Sequence, residues 1–103
     1  MANPSVLTQA TVSASGSPYA ATSTDGLFYV DTTSGAVTIN LAPATSVGKS
    51  ISIKASGGAC SSTAATINAN GSDTIDGAGT LSIDSSYMNV TLRISAPGSW
   101  AII

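Results

Sequence analysis

From Gly26 onward apolar residues alternate with small polar ones in short runs, and each run is closed by glycine, proline or an Asn/Asp/Ser cluster. Period two is the mark of a strand with one buried face. Leu27–Asp31 leads into Thr32-Thr33-Ser34-Gly35, and Ala36–Leu41 then places Val37, Ile39 and Leu41 on one side, so the segment reads as a hairpin. Pro43 ends that strand, and residues 44–48 read as a loop or one helical turn. Lys49–Ala55 points Ile51 and Ile53 inward before Gly57-Gly58 breaks the run. Ile67 lies inward in Ala64–Asn68, Asn70-Gly71 is a turn dipeptide, and Ile75 follows in Asp73–Asp76. Leu81 with Ile83, then Val90, Leu92 and Ile94, make the next alternating sets. Pro97-Gly98 turns the chain into a last strand with Trp100 and Ile102. No window carries an i, i+3, i+4, i+7 apolar stripe, so helix content is expected to be very low.

The first twenty residues differ. They hold no charge and two prolines, with only Val6, Leu7, Val12 and Tyr19 as larger apolar groups, and they show no sustained period. They read as an extended arm with at most one short strand, over residues 1–20, ahead of a β domain over 21–103. About eight short strands with turns every eight to twelve residues indicate one all-β domain, an antiparallel sandwich, jelly roll or barrel.

Composition narrows the function. The 103 residues include three Lys or Arg, five Asp, no Glu and no His, for a net charge of −2. Three scattered cations do not neutralise a row of phosphates, so a nucleic-acid groove is excluded, and a basic membrane-surface helix fails for the same reason. Without His the usual general base at neutral pH is missing, and a single Cys builds neither a Cys₄ nor a Cys₂His₂ zinc site. Neither cofactor nor metal is expected. No apolar stretch reaches the ~20 residues of a membrane span. Met1-Ala2-Asn3-Pro4 lacks a basic residue and Val6-Leu7 is too short for a signal core, so the expectation is a soluble protein made in a cytoplasm, with Cys60 a thiol.

The candidate chemistry is thin. Asp73 and Asp76 in Gly71-Ser-Asp-Thr-Ile-Asp-Gly-Ala-Gly79 bear a superficial likeness to a calcium loop, but calcium needs six to eight oxygens and this half-turn offers two carboxylates. The plainer reading has both aspartates accepting from backbone amides. Asp31, Asp73, Asp76 and Asp84 could in principle pair as glycosidase carboxylates, but short strands provide little cleft. No base stands by for a Ser nucleophile. Cys60 reads as a small buried apolar residue or a loop thiol. The five aromatics, Tyr19, Phe28, Tyr29, Tyr87 and Trp100, read as core or subunit contacts, or else as a sugar-stacking platform.

A set of six strings is more specific, above all its Gly-x-Asp-Thr-Ile-Asp-Gly turn and closing Gly-x-Trp. Asp31-Thr-Thr-Ser-Gly-Ala-Val-Thr-Ile-Asn-Leu-Ala-Pro-Ala44 is followed by Val47-Gly-Lys-Ser-Ile-Ser-Ile-Lys54. Ala65-Thr-Ile-Asn68 precedes Gly71-Ser-Asp-Thr-Ile-Asp-Gly77, and the end is Val90-Thr-Leu92 with Gly98-Ser-Trp-Ala-Ile-Ile103. With these, residues 21–103 resemble the small all-β domains of tailed-bacteriophage virions, which occur as head- or tail-fibre modules and capsid decoration (cement) proteins, generally trimeric. The resemblance implies a non-enzymatic homotrimer on the capsid exterior, made in the host cytoplasm, with itself and the major capsid protein as partners. A fibre-tip module recognising a host glycan is the alternative it implies.

With few bulky side chains and little surface charge, the chain is expected to complete its interior by self-association. Val37, Ile39, Leu41, Ile51, Ile53, Ile67, Ile75, Leu81, Ile83, Val90, Leu92, Ile94 and Trp100 are assigned to the core or trimer axis. Val6, Leu7 and Val12 of the arm are assigned to the capsid contact.

Overall fold

A computed structural model describes residues 8–22 and 25–103, and about half of the chain there is strand, the rest being turns and loops with single 3-10 turns at Ala14–Gly16 and Ala59–Ser61. The strands are β1 (Thr8–Ser13), β2 (Tyr19–Ala20), β3 (Asp25–Asp31), β4 (Val37–Asn40), β5 (Ser50–Ala55), β6 (Ala65–Asn68), β7 (Thr74–Ile75), β8 (Thr80–Ile83), β9 (Asn89–Ala96) and β10 (Ser99–Ile102). They form a six-stranded sheet in the order β1-β3-β5-β9-β10-β7 and a four-stranded sheet in the order β2-β4-β6-β8.

Up to β6 each strand belongs to the opposite sheet from the one before it. The chain therefore winds as a flattened coil of three turns, β1/β2, β3/β4 and β5/β6, and equivalent strands of successive turns pair in parallel. This corrects the antiparallel expectation. Alternation of period two is the same in a parallel and an antiparallel strand, so the pattern carried no information on direction. The 32–35 segment is a corner between sheets and not a hairpin, because β3 and β4 never pair. After β6 the direction reverses: β8 pairs antiparallel with β6 and β9 with β5, while β9 and β10 form a true hairpin across Pro97-Gly98.

Stacking in register builds the core. Val12, Val30 and Ala55 lie opposite one another on successive turns, and so do Ala10, Phe28, Ile53 and Val90. In the second sheet Tyr19, Ile39, Ile67 and Leu81 make one row and Val37, Ala65 and Ile83 another. These rows face each other in one apolar cluster. Of the residues assigned to core or trimer axis, Val37, Ile39, Leu41, Ile51, Ile53, Ile67, Ile75, Ile83, Leu92, Ile94 and Trp100 are buried, and Leu81 and Val90 pack half-buried against them. All of this happens within one chain. Coiling brings the two apolar sheet faces together, and the assigned rows fill the space between them.

The segment expected as an extended arm with at most one short strand holds two strands where it is described. Residues 8–20 are the first turn of the coil, with β1 paired along β3, the Ser17 hydroxyl accepting from Thr38 N–H at 2.8 Å, and Val12 2% exposed. Val12 therefore serves this chain's own core instead of an outside surface. Val6 and Leu7 lie outside the described residues.

Two substitutions separate the faces. Ile67→Ala should cost about 2–5 kcal/mol, against less than about 1 kcal/mol for Thr66→Ala on the outer face, measured by urea denaturation. Removing residues 1–20 strips the cover from Phe28 and Val30 and should sharply lower the denaturation midpoint, and an unchanged midpoint would contradict the docking of the first turn.

Candidate functional site

The Gly71–Gly79 segment is a clamp. Asp73 Oδ2 accepts from Ala44 N–H at 2.9 Å, and Asp76 Oδ1 accepts from Ile102 N–H at 3.1 Å. Backbone bonds reinforce both: Thr74 N–H donates to the Gly98 carbonyl at 2.9 Å, Gly98 N–H to the Ala44 carbonyl at 2.8 Å, and Asp76 N–H to the Trp100 carbonyl at 2.9 Å. The short β7 thus ties the 43–46 loop to the β9–β10 hairpin. Gly98 sits at φ 80°, a left-handed conformation that glycine adopts without strain. Asp76 at φ 49° is a left-handed residue of the type that tolerates it best. Both aspartates act as backbone acceptors, as the plainer reading has it. Among the described residues no group of three His, Cys, Asp or Glu is placed to hold a metal ion.

The remaining polar candidates are dispersed. Asp31 Oδ1 accepts from Thr33 N–H at 2.9 Å in an Asx turn at the sheet corner. Hydrogen bonds from Thr33, its hydroxyl first and its backbone N–H second, hold the Asp31 carboxyl below its ordinary 3.8. Cys60 is buried, and the buried Thr32 hydroxyl donates to its sulfur at 3.5 Å, which makes it a core residue. Tyr19, Phe28 and Trp100 lie in or against the core, while Tyr29 lies opposite Lys54 in the sheet. Tyr19 meets Phe28 edge to face at 6.0 Å, Trp100 is buried, and Tyr87 is 61% exposed on a left-handed backbone at φ 55°. Lys54 Nζ donates to the Tyr87 carbonyl at 2.6 Å and lies 5.7 Å from its ring centroid.

Two surface features combine residues that the sequence keeps apart. The outer side of the four-stranded sheet stacks Thr38, Thr66 and Ser82 in one row and Asn40, Asn68 and Thr80 in the next. Asn68 Nδ2 donates to Asn40 Oδ1 at 3.0 Å, a ladder step between turns of the coil. The result is a face of hydroxyls and amides without charge.

The second feature is a cleft of about 50 Å³ where the end of β4, the start of β5 and β10 converge. Its deep walls are the buried Phe28, Leu41, Ile51, Ile94 and Trp100. The exposed Thr45 and Ser46 stand at its mouth. Trp100 Nε1–H is buried and has no acceptor among the described residues. Sequence reasoning found Leu41, Ile51, Ile94 and Trp100 as core but not the cleft they line. The nearest signal was an indole at an inward position, since a buried Trp needs a partner for its N–H.

No family model matches the chain, and no curated protein matches it.

Asp73→Ala leaves the buried Ala44 N–H unpaired and should cost about 1.5–3 kcal/mol in urea melts, with Asp73→Asn losing less. For Asp31 the folded-state pKa lies below the unfolded one. Its contribution is present above 3.8 and disappears as pH falls through the lowered value. Carboxyl NMR titration should place Asp31 below 3.8 and return it upward in Thr33→Val.

Proposed function

We propose that this protein is a non-enzymatic structural component of a tailed-phage virion, a homotrimeric capsid decoration protein that binds the outer capsid surface and stabilises the shell. The observation that supports this most directly is the open end of the coil. Among the described residues β1 is an outermost strand with a partner on one side only, and it carries no charged residue. Free-standing proteins blunt such edges with lysine or other charges, because unpaired strand backbone recruits further strands. An edge left neutral suits a module whose working state covers it.

The opposite end is treated differently. There β7 is two residues long, and Ile75 and Ala78 exchange backbone bonds with each other, which closes the edge locally. The module thus has one finished and one unfinished end, as a part mounted on a surface would. The sequence resemblance points the same way. In the trimer the subunits meet through surface residues, since the apolar rows lie inside each chain. Three modest contacts to one shell hold together where one would not, and binding to the assembled shell alone stabilises it by mass action.

A second reading, the fibre-tip module that recognises a host glycan, is favoured by one observation. The neutral face of Thr38, Thr66, Ser82, Asn40, Asn68 and Thr80 offers donors and acceptors in a regular array.

Purified protein should sediment as a trimer, bind the outside of undecorated capsids and raise their melting temperature. Copy number by quantitative mass spectrometry of virions should reach tens to hundreds per particle. A handful of copies, together with glycan binding by the isolated protein, would move the assignment to the fibre tip.

A further inference from the structure

The Asn70-Gly71 dipeptide opens the turn that leads into the aspartate clamp, and the fold leaves it chemically exposed. Both residues face solvent, Gly71 stands at φ 53°, and a side chain there would meet nothing within 4 Å. Among the described residues the Gly71 N–H has no acceptor, whereas Ala69 N–H donates to the Gly79 carbonyl at 3.0 Å and Asp73 N–H to the Asn70 carbonyl at 2.8 Å. A backbone nitrogen is held close to the side-chain carbonyl carbon of an asparagine just before it, and attack there closes a five-membered ring. A side chain on the attacking residue obstructs that approach, and glycine has none.

The other four asparagines are protected. Asn3 precedes Pro4, which has no N–H. Asn40 precedes Leu41, whose N–H donates to the Asn68 carbonyl at 2.9 Å, and Asn68 precedes the bonded Ala69. Asn89 precedes Val90, which is branched and paired with Ile53 inside the sheet. We propose that Asn70 is a site of self-modification. Gly71 N loses its proton and bonds to Asn70 Cγ, the Cγ–Nδ2 bond breaks, and the amide leaves as ammonia with that proton. Water then opens the cyclic imide at one of its two carbonyls, leaving aspartate or isoaspartate at position 70. In isoaspartate the main chain runs through the former side chain, and the carbonyl that accepts from Asp73 N–H becomes a free carboxylate. The turn that positions Asp73 against Ala44 N–H is thereby rebuilt, so the clamp loosens as the molecule ages. Asp76-Gly77 has the same spacing, but a carboxylate is a poor electrophile and releases no ammonia.

The full chain, incubated folded in mildly alkaline buffer and mapped by peptide mass spectrometry, should show the mass gain of an NH₂ to OH exchange confined to Asn70. The rate should rise with hydroxide concentration, ammonia should appear in step, and isoaspartate should be among the products. Asn70→Ser should abolish both the gain and the ammonia. The urea midpoint of wild-type protein should fall as isoaspartate accumulates, while that of Asn70→Ser stays constant through the same incubation. Asn70 retained as the amide in the folded protein, whether or not the guanidinium-unfolded chain converts, overturns the proposal. Conversion spread over Asn40, Asn68 and Asn89 overturns the protection that the fold is argued to give. A midpoint that does not move with isoaspartate content overturns the loosening of the clamp.

Discussion

The parallel, in-register stacking of successive turns is the constraint on which the rest of the structure depends. Ile39 lies between Tyr19 and Ile67, Val30 between Val12 and Ala55, and Phe28 between Ala10 and Ile53. A slip of one residue in any turn would move its Ile or Val to the outer face and bring a Thr or Asn into the core. Because each turn touches mainly its neighbours, as in other repeat architectures, the register of one turn is imposed on the next. The chain contains so few large side chains that this arrangement matters: small residues such as Ala55 and Ala65 let the two sheets approach closely enough to bury what is there.

The aspartates serve the same end. A coil of parallel strands has no natural stopping point, and this one is finished by reversing direction at β8 and β9 and by tying the result down with Asp73 and Asp76. Charge-assisted bonds from a carboxylate to a backbone N–H are stronger than neutral ones. Three of the eight charged side chains, Asp31, Asp73 and Asp76, are engaged in this way with loop or strand-end amides. Charge that a different protein would place on its surface is used here to fix turns, and the outer faces are left to hydroxyls and amides.

Much of the core was legible because Val37, Ile39, Ile51, Ile53, Leu92 and Ile94 alternate with polar neighbours, and the Pro97-Gly98 hairpin was legible from its turn dipeptide. Strand direction was not, since the alternation is blind to it. One clue was available: Val37-Thr-Ile-Asn40 and Ala65-Thr-Ile-Asn68 are nearly the same string, and they stack directly upon one another as β4 and β6. Ala44, Ala55 and Ala65 were missed because alanine gives little apolar signal, and Val12 was turned outward because its run is short and lies among Ser and Thr. The Trp100 cleft was not readable at all, because its walls come from separate stretches that only the coil brings together.

The order of the strands also bears on how the molecule comes into being. β5, the middle of the larger sheet, has β3 on one side and β9 on the other, and β9 begins at Asn89, thirty-four residues after β5 ends at Ala55. Throughout synthesis of that interval β5 has β3 on one side and an open edge on the other, and loop closure over such separations is slow. Residues 89–103 therefore act as a latch, since they supply the second partner that β5 lacks until they emerge.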